Sequence, residues 1–243
     1  MNTSQIDYYN GRWSHEGIAE RPPNEERVAL VTSKALQGLG PDERDILDVG
    51  CGNGWILSAI ESAAPHPLRL HGLEPSAVGI SNTRSTVPNA IVWEGTLENF
   101  QTSQQFDVIT CSEVIEHVAN QRSFLECLAG LLKKNGRLVL TTPNGRYRGS
   151  YFEEYRGKVE EQPVENWVHF KQFEALTNGL LVVQEAKTFE LSYYYRLHPR
   201  MNAVRGVLSG LKGGWRLWNS LVEKPLLNQF RSGLYLCLVM RKL

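Results

Sequence analysis

Two sets of residues in this 243-residue chain have the types and spacing to do chemistry. The first is Asp48-Val49-Gly50-Cys51-Gly52-Asn53-Gly54, where an apolar run opens into a turn with three glycines. Glycine lets the backbone turn sharply and lets a ligand approach with no Cβ in the way. A helix starting at Trp55 would point its free N–H groups at that ligand. Glu74 closes the next apolar run, and a carboxylate placed there can accept both hydroxyls of a ribose. The second set is Glu113, Glu116 and His117, followed much later by His169. Read as a helical turn, the first three stand at i, i+3 and i+4 on one face. Two carboxylates and imidazole suit a divalent cation such as Mg, Mn or Zn, which would lower the pKa of an acceptor hydroxyl. They equally suit metal-free proton transfer by His117 or His169. A third reading is structural, with Glu116 as a capping acid and His117 as a hydrogen-bonded histidine. Residue types and spacing leave all three open.

The glycine spacing narrows the ligand. A dinucleotide fingerprint reads G-x-G-x-x-G. This turn reads G-x-G-x-G, with an acid, Asp48, two residues before the first glycine. That acid suits a positively charged ligand, such as the sulfonium and amino group of S-adenosylmethionine, better than NAD.

The elements that must position these residues follow from periodicity. Strands are expected over 46–49, 68–73, 90–93, 106–111 and 137–142, alternating with helices over 55–63, 77–84 and 121–134. Asn135-Gly136 is expected to end the last of these helices. Such alternation argues for an α/β fold, a parallel sheet with helices on both faces. A helix over 25–39 precedes this core; a helix over 170–179 and strands over 180–191 and 234–241 follow it. We read one domain over 1–243: an N-terminal helical lid segment over 1–40, a ligand-binding core over 41–145, and a substrate side over 146–243. A helical insertion over 196–229 precedes the last strand and mixes Arg200, Arg205, Lys212 and Arg216 with Trp215 and Trp218. It reads as a lid or homodimer contact, or else as an interfacial patch touching a membrane.

The totals exclude some classes. Lys+Arg and Asp+Glu are both 26, so the chain lacks the basic excess usual for nucleic-acid binders. The cysteines, Cys51, Cys111, Cys127 and Cys237, are too scattered for a zinc or disulfide framework. No apolar stretch is long enough to span a bilayer. The expectation is a cytoplasmic protein, with peripheral membrane contact left open.

The Asp48–Gly54 segment resembles motif I of the class I S-adenosylmethionine-dependent methyltransferases. Glu74 is similar to their ribose-binding acid, Phe106-Asp107-Val108-Ile109 to their fourth strand, and Lys134-Asn135-Gly136-Arg137-Leu138 to the turn before their fifth. The resemblance covers residues 40–145, and 165–243 in outline. It implies a Rossmann-like, seven-stranded, mostly parallel sheet whose last strand is antiparallel. It also implies S-adenosyl-L-methionine as cofactor, with Asp48, Gly50, Cys51, Gly52, Gly54, Glu74, Ser112 and Glu113 around it. Thr96 and Leu97 would lie near adenine, Thr96 standing where members often carry Asp. The E-x-x-E-H pattern with a later His is similar to ubiquinone-biosynthesis-type O-methyltransferases. It is also similar to bacterial small-RNA 2′-O-methyltransferases, in which such residues hold a metal. Carried over, Glu113, Glu116, His117 and His169 would be its ligands. Tyr8-Tyr9-Asn10-Gly11-Arg12-Trp13 resembles a lid over cofactor and acceptor. The leading expectation is O-methylation of a small molecule: a phenol or quinone precursor, a sugar or a lipid-linked glycan. The alternatives are RNA 3′-end 2′-O-methylation and a catalytically silent cofactor-binding module.

Overall fold

The computed structural model describes residues 3–16, 24–154, 162, 164–211, 213–220, 222 and 232–243. Seven strands form one sheet: β1 (Asp45–Val49), β2 (Arg69–Glu74), β3 (Ile91–Glu94), β4 (Phe106–Ser112), β5 (Leu132–Pro143), β6 (Leu181–Phe189) and β7 (Tyr235–Lys242). Their order is β3-β2-β1-β4-β5-β7-β6. The pairs from β3 through β5 are parallel, and β7 runs antiparallel to both β5 and β6. The helices are α1 (Thr3–Glu16), α2 (Glu25–Leu36), α3 (Trp55–Ala63), α4 (Ala77–Thr86), α5 (Gln121–Leu131), α6 (Arg148–Glu154), α7 (Phe170–Thr177), α8 (Leu191–Leu197), α9 (Pro199–Ser209) and α10 (Gly214–Trp218).

Strand alternation builds a core on each face. Leu47, Ile109, Leu138 and Leu140 point to one side, where Phe124, Leu125 and Leu128 of α5 and Phe173 of α7 cover them. Ile46, Val108 and Val139 point to the other, under Val28 and Val31 of α2, Ile56, Leu57 and Ile60 of α3, and Ile80 of α4. The strand order reverses between β1 and β4. In an open α/β sheet, a crevice forms beyond the carboxyl ends of the strands at such a point.

Among the boundaries that differ from expectation, two shape the fold. The helix over 121–134 ends early, at Leu131, and β5 already begins at Leu132. Leu132 is fully buried and pairs with Phe106, while Lys133 Nζ reaches Asp45 and Asp107, each at 2.8 Å. Those anchors outweigh helical periodicity. Asn135 (φ 63) then sits inside the strand, at a register shift, and does not end the helix. The second difference is the strand expected over 180–191. It stops at Phe189, and Glu190 (φ 59) turns the chain into α8. From there α8 to α10 form a cap around buried Tyr193, Tyr194, Tyr195 and Trp218, together with Tyr147 and Leu234. Lys212, Leu221 and residues 223–229 of the expected insertion, like residues 1–2 and 17–23 of the expected N-terminal segment, lie outside the described residues. Among the described residues no helix is long and apolar enough to cross a membrane.

Candidate active site

Beyond the carboxyl ends of β1 and β4 lies a cavity of about 620 Å³. Its first wall is the glycine turn. The chain leaves Val49 through Gly50 (φ 74), Gly52 (φ 50) and Gly54 (φ 79) and enters α3. A Cβ at Gly50 would stand 2.5 Å from Val114, and one at Gly52 would stand 2.8 Å from Trp13 of α1. The N–H groups of Gly50 and Cys51 both donate to the Leu73 carbonyl, at 2.8 and 3.3 Å, fastening the turn to β2.

Glu74 is fixed from two sides. Its Oε2 accepts from Gly52 N at 3.0 Å and its Oε1 from Ser76 N at 3.1 Å. A carboxylate has further lone pairs, so two hydroxyls can still be received. Burial raises its pKa, against those two bonds. Asp48 is buried and accepts from Thr110 Oγ1 at 2.7 Å. Burial, reinforced by nearby Glu74, pushes Asp48 up to about 7, even though the Thr110 bond and Arg27 act the other way. A cation arriving beside Asp48 would relieve that strain. Thr96 Oγ1 is buried and has no hydrogen-bond partner among the described residues, so it is free for a ligand's polar group.

Asp48, Gly50, Cys51, Gly52, Glu74, Thr96, Leu97, Ser112 and Glu113 all line the cavity. Gly54 does not: it caps the start of α3 and faces Thr83, so its work is the turn itself.

The second wall follows β4. Here the expected helical face is corrected. Glu113 has φ 58, outside any helix, and only Ile115–His117 forms a turn of 3-10 helix. Glu113 Oε1 accepts from Thr141 Oγ1 at 2.8 Å, and its Oε2 is 3.9 Å from Arg27. Glu116 Oε2 accepts from Thr142 Oγ1 at 3.1 Å. Burial raises both carboxyls, and the charge of Glu113 raises Glu116 further. His117 Nδ1 lies 2.9 Å from the Val164 carbonyl oxygen. A carbonyl can only accept, so Nδ1 carries the proton and Nε2 is left as the acceptor. Burial lowers His117 to about 4, with the Val164 bond opposing. Its Nε2 is 3.7 Å from Glu116 Oε1, and its Nδ1 is 3.9 Å from Glu165 Oε1.

His169 is not part of this site. It caps α7: its side chain accepts from the third-residue backbone, and its own N–H donates to Gln172 Oε1 at 2.9 Å. It is exposed and absent from the cavity wall. The capping demand of α7 holds it away, so the expected four-ligand set does not converge. Among the described residues no three His, Cys, Asp or Glu side chains are arranged to hold a metal ion.

Several contributors carry no sequence signal. The Val164 carbonyl is a backbone group, and Thr110, Thr141, Thr142 and Arg27 act through contacts distant in sequence. Aromatic rings of Tyr9, Tyr151, Phe152, Trp167 and Tyr235 complete the far wall. Helix α1 bridges the two walls. Asn10 Oδ1 accepts from Ser76 Oγ at 2.7 Å, Tyr9 donates to Gln162 at 2.7 Å, and Gln5, Tyr8, Tyr9, Arg12 and Trp13 all line the cavity.

A family model described as a methyltransferase domain matches residues 23–181. The ubiquinone biosynthesis O-methyltransferase of Rickettsia prowazekii (strain Madrid E) is 26% identical over 77% of this chain and 84% of its own length. The mitochondrial enzyme of that name from Schizosaccharomyces pombe is 36% identical over 58% of this chain, and the match spans 56% of its length. Two solved structures share the fold at 12% identity, each with a TM-score of 0.65. One is the N-methyltransferase NodS of Bradyrhizobium japonicum WM9 with S-adenosyl-L-homocysteine, 98% of each chain being covered. The other is magnesium protoporphyrin IX methyltransferase of Synechocystis PCC 6803 with the same ligand, 99% of each chain being covered.

Proposed function

The chain belongs to the methyltransferase-domain family as a class I S-adenosylmethionine-dependent enzyme, and on that premise we propose that it methylates a hydroxyl of a small, flat acceptor. The observation that carries this reading is the 2.9 Å contact of His117 Nδ1 with the Val164 carbonyl, which leaves Nε2 as the acceptor in one cavity with the glycine turn and Glu74. Two curated relatives named as ubiquinone biosynthesis O-methyltransferases support a phenol-like or quinone-precursor acceptor. Rings from Tyr151, Phe152, Trp167 and Tyr235 suit such a plane.

S-adenosylmethionine supplies an electrophilic methyl group on a sulfonium. Everything else is the chain's own work. Glu74 receives the ribose hydroxyls, Thr96 and Leu97 border adenine, and Asp48 meets the positive end of the cofactor. The glycine turn lets the cofactor approach the backbone closely. The aromatic wall would hold a flat acceptor beside the cofactor, which would lower the entropy cost of the encounter. His117 Nε2 takes the hydroxyl proton as the oxygen–carbon bond forms and the carbon–sulfur bond breaks. Glu165, 3.9 Å from Nδ1, lies close enough to balance the charge the ring then gains.

RNA fits this cavity poorly. Its lining sets five acids, Asp48, Glu74, Glu113, Glu116 and Glu165, against two cations, Arg12 and Arg27, and so lacks the basic track that phosphates need. A silent module has no use for a histidine held as the acceptor tautomer. Transfer of labelled methyl from S-adenosylmethionine to catechol and hydroquinone acceptors tests the proposal, with RNA as the competing acceptor. Label on RNA alone would overturn it.

A further inference from the structure

Helix α9 carries apolar residues on both of its faces. On the inner face, Met201 and Leu208 pack against the cluster of Tyr193, Tyr194, Tyr195 and Trp218, and Arg205 stacks 4.3 Å over Tyr195. These residues stand at i, i+4 and i+7, one helical stripe. On the outer face, Val204 and Val207 are 51% and 70% exposed, and Leu211, just past the helix, is 60% exposed. Arg200, one turn before Val204, shares that face and is exposed.

The charge along the chain between Glu190 and Glu223 is one-sided. The chain as a whole balances 26 cationic against 26 acidic residues, yet residues 191–222 hold five Lys or Arg and no Asp or Glu. Arg196 is engaged by Glu154 at 3.6 Å. Arg200 and Arg216 are exposed and have no acidic partner among the described residues. An outward aliphatic stripe flanked by cations is the pattern of a helix lying in a lipid interface.

We infer that the outer face of α9, with Leu211, Arg200 and Arg216, docks the protein on an anionic lipid surface. Anionic headgroups supply the countercharge that the segment lacks, and acyl chains take Val204, Val207 and Leu211. A second copy of this chain would set the same cations against each other. Single-stranded RNA would need aromatic platforms, and the cap's tyrosines, Tyr193, Tyr194 and Tyr195, are buried. The cap also packs on Tyr151 and Trp167, which line the cavity. The docked cap is thus in direct contact with the acceptor side of the cavity wall. The docking itself does not depend on which acceptor is methylated.

Sedimentation with phosphatidylcholine vesicles, with and without phosphatidylglycerol, tests it. The protein is expected on the phosphatidylglycerol vesicles and not on phosphatidylcholine alone, with binding that weakens in salt. Val207→Asp should reduce partition on the order of tenfold. Arg200→Gln and Arg216→Gln should each reduce it roughly fivefold. Because Val207 and both arginines are exposed, affinity for S-adenosylhomocysteine should stay unchanged in every variant. That measurement separates failure of docking from failure of the methyltransferase reading. Binding undiminished by these substitutions, or no binding to phosphatidylglycerol vesicles, would overturn the inference. So would a homodimer that Val207→Asp dissolves without any vesicle binding, or tight binding of an RNA oligonucleotide in place of vesicles.

Discussion

The ring of His117 donates from Nδ1 to the carbonyl oxygen of Val164 at 2.9 Å, and this one bond decides which nitrogen faces the chemistry. The donor proton is committed to a backbone acceptor from residues 164–168, so Nε2 is the acceptor. Burial, by lowering the ring to about 4, keeps it neutral through the physiological range. Neutral imidazole is available as a base at every pH above that value. Activity limited by His117 should therefore persist into mildly acidic solution, and a pH–rate profile of kcat/KM reads this directly. A steep acid limb near the ordinary histidine value, about 6.5, would contradict the burial argument.

Asp48 gives a second pH signature. Its folded-state pKa, about 7, is above the ordinary carboxylate value. The folded chain thus holds a proton that the unfolded chain releases. The corresponding stability is present at low pH and is lost as pH rises through about 7. Asp48→Asn should accordingly stabilise the ligand-free protein above about pH 7, by an amount on the order of a few kcal/mol. Ligand binding has the opposite preference, because the ammonium group of S-adenosylhomocysteine favours the carboxylate. Affinity should rise toward neutral pH, with a proton released to the buffer below about pH 7. Calorimetry in buffers of different ionisation heat measures that proton, and Asp48→Asn should abolish it.

Glu74 joins the two halves of the cofactor wall, because its bonds to Gly52 N and Ser76 N hold the turn after β1 against the loop after β2. Glu74→Ala should weaken S-adenosylhomocysteine binding by about 1–3 kcal/mol. Glu74→Gln keeps one acceptor oxygen and should fall between wild type and Ala. Equal affinity for all three proteins would remove Glu74 from the cofactor site.

Gly52 and Trp13 are coupled. Gly52→Ala adds a Cβ 2.8 Å from the Trp13 ring, on a residue with φ 50. The backbone conformation alone costs about 1–2 kcal/mol, and the clash displaces α1 from the cavity. Trp13→Ala in the same chain should recover the clash component and leave the backbone component. A double-mutant cycle on thermal stability would show the coupling, and strict additivity of the two substitutions would deny it.

The first wall was legible in the sequence because it is local. The Asp48–Gly54 turn and Glu74 each sit at a strand end that hydrophobic patterning locates, and the sheet brings strand ends together without further information, whereas Thr96 was placed by the family resemblance. The second wall was legible only in part. Glu113, Glu116 and His117 do line one cavity, but not as a helical face, since Glu113 adopts φ 58. No pattern of apolar residues reports a single left-handed residue. His169 misled for a related reason: a histidine before a helix reads the same whether it caps that helix or faces a site, and here the cap wins. The early end of α5 came from Leu132 and Lys133, whose partners Phe106, Asp45 and Asp107 are distant in sequence. A helical segment between the last two strands was legible, but its start at Leu191 and its outward aliphatic stripe needed coordinates.

His117 and His169 together offer the most direct test, since the sequence treats them alike and the structure does not. The measurement is the rate of methyl transfer from labelled S-adenosylmethionine to a catechol acceptor, with His117→Ala and His169→Ala compared at matched folded concentration. His117→Ala should lose about 10²–10⁴-fold in kcat, the usual contribution of a positioned base, with cofactor affinity retained and a melting temperature within a few degrees of wild type. His169→Ala should turn over at close to the wild-type rate and show only the loss of a helix cap, about 0.5–2 kcal/mol of stability. A His117→Ala variant as active as wild type, or a His169→Ala variant as impaired as His117→Ala is expected to be, would contradict the assignment of proton removal to His117 Nε2.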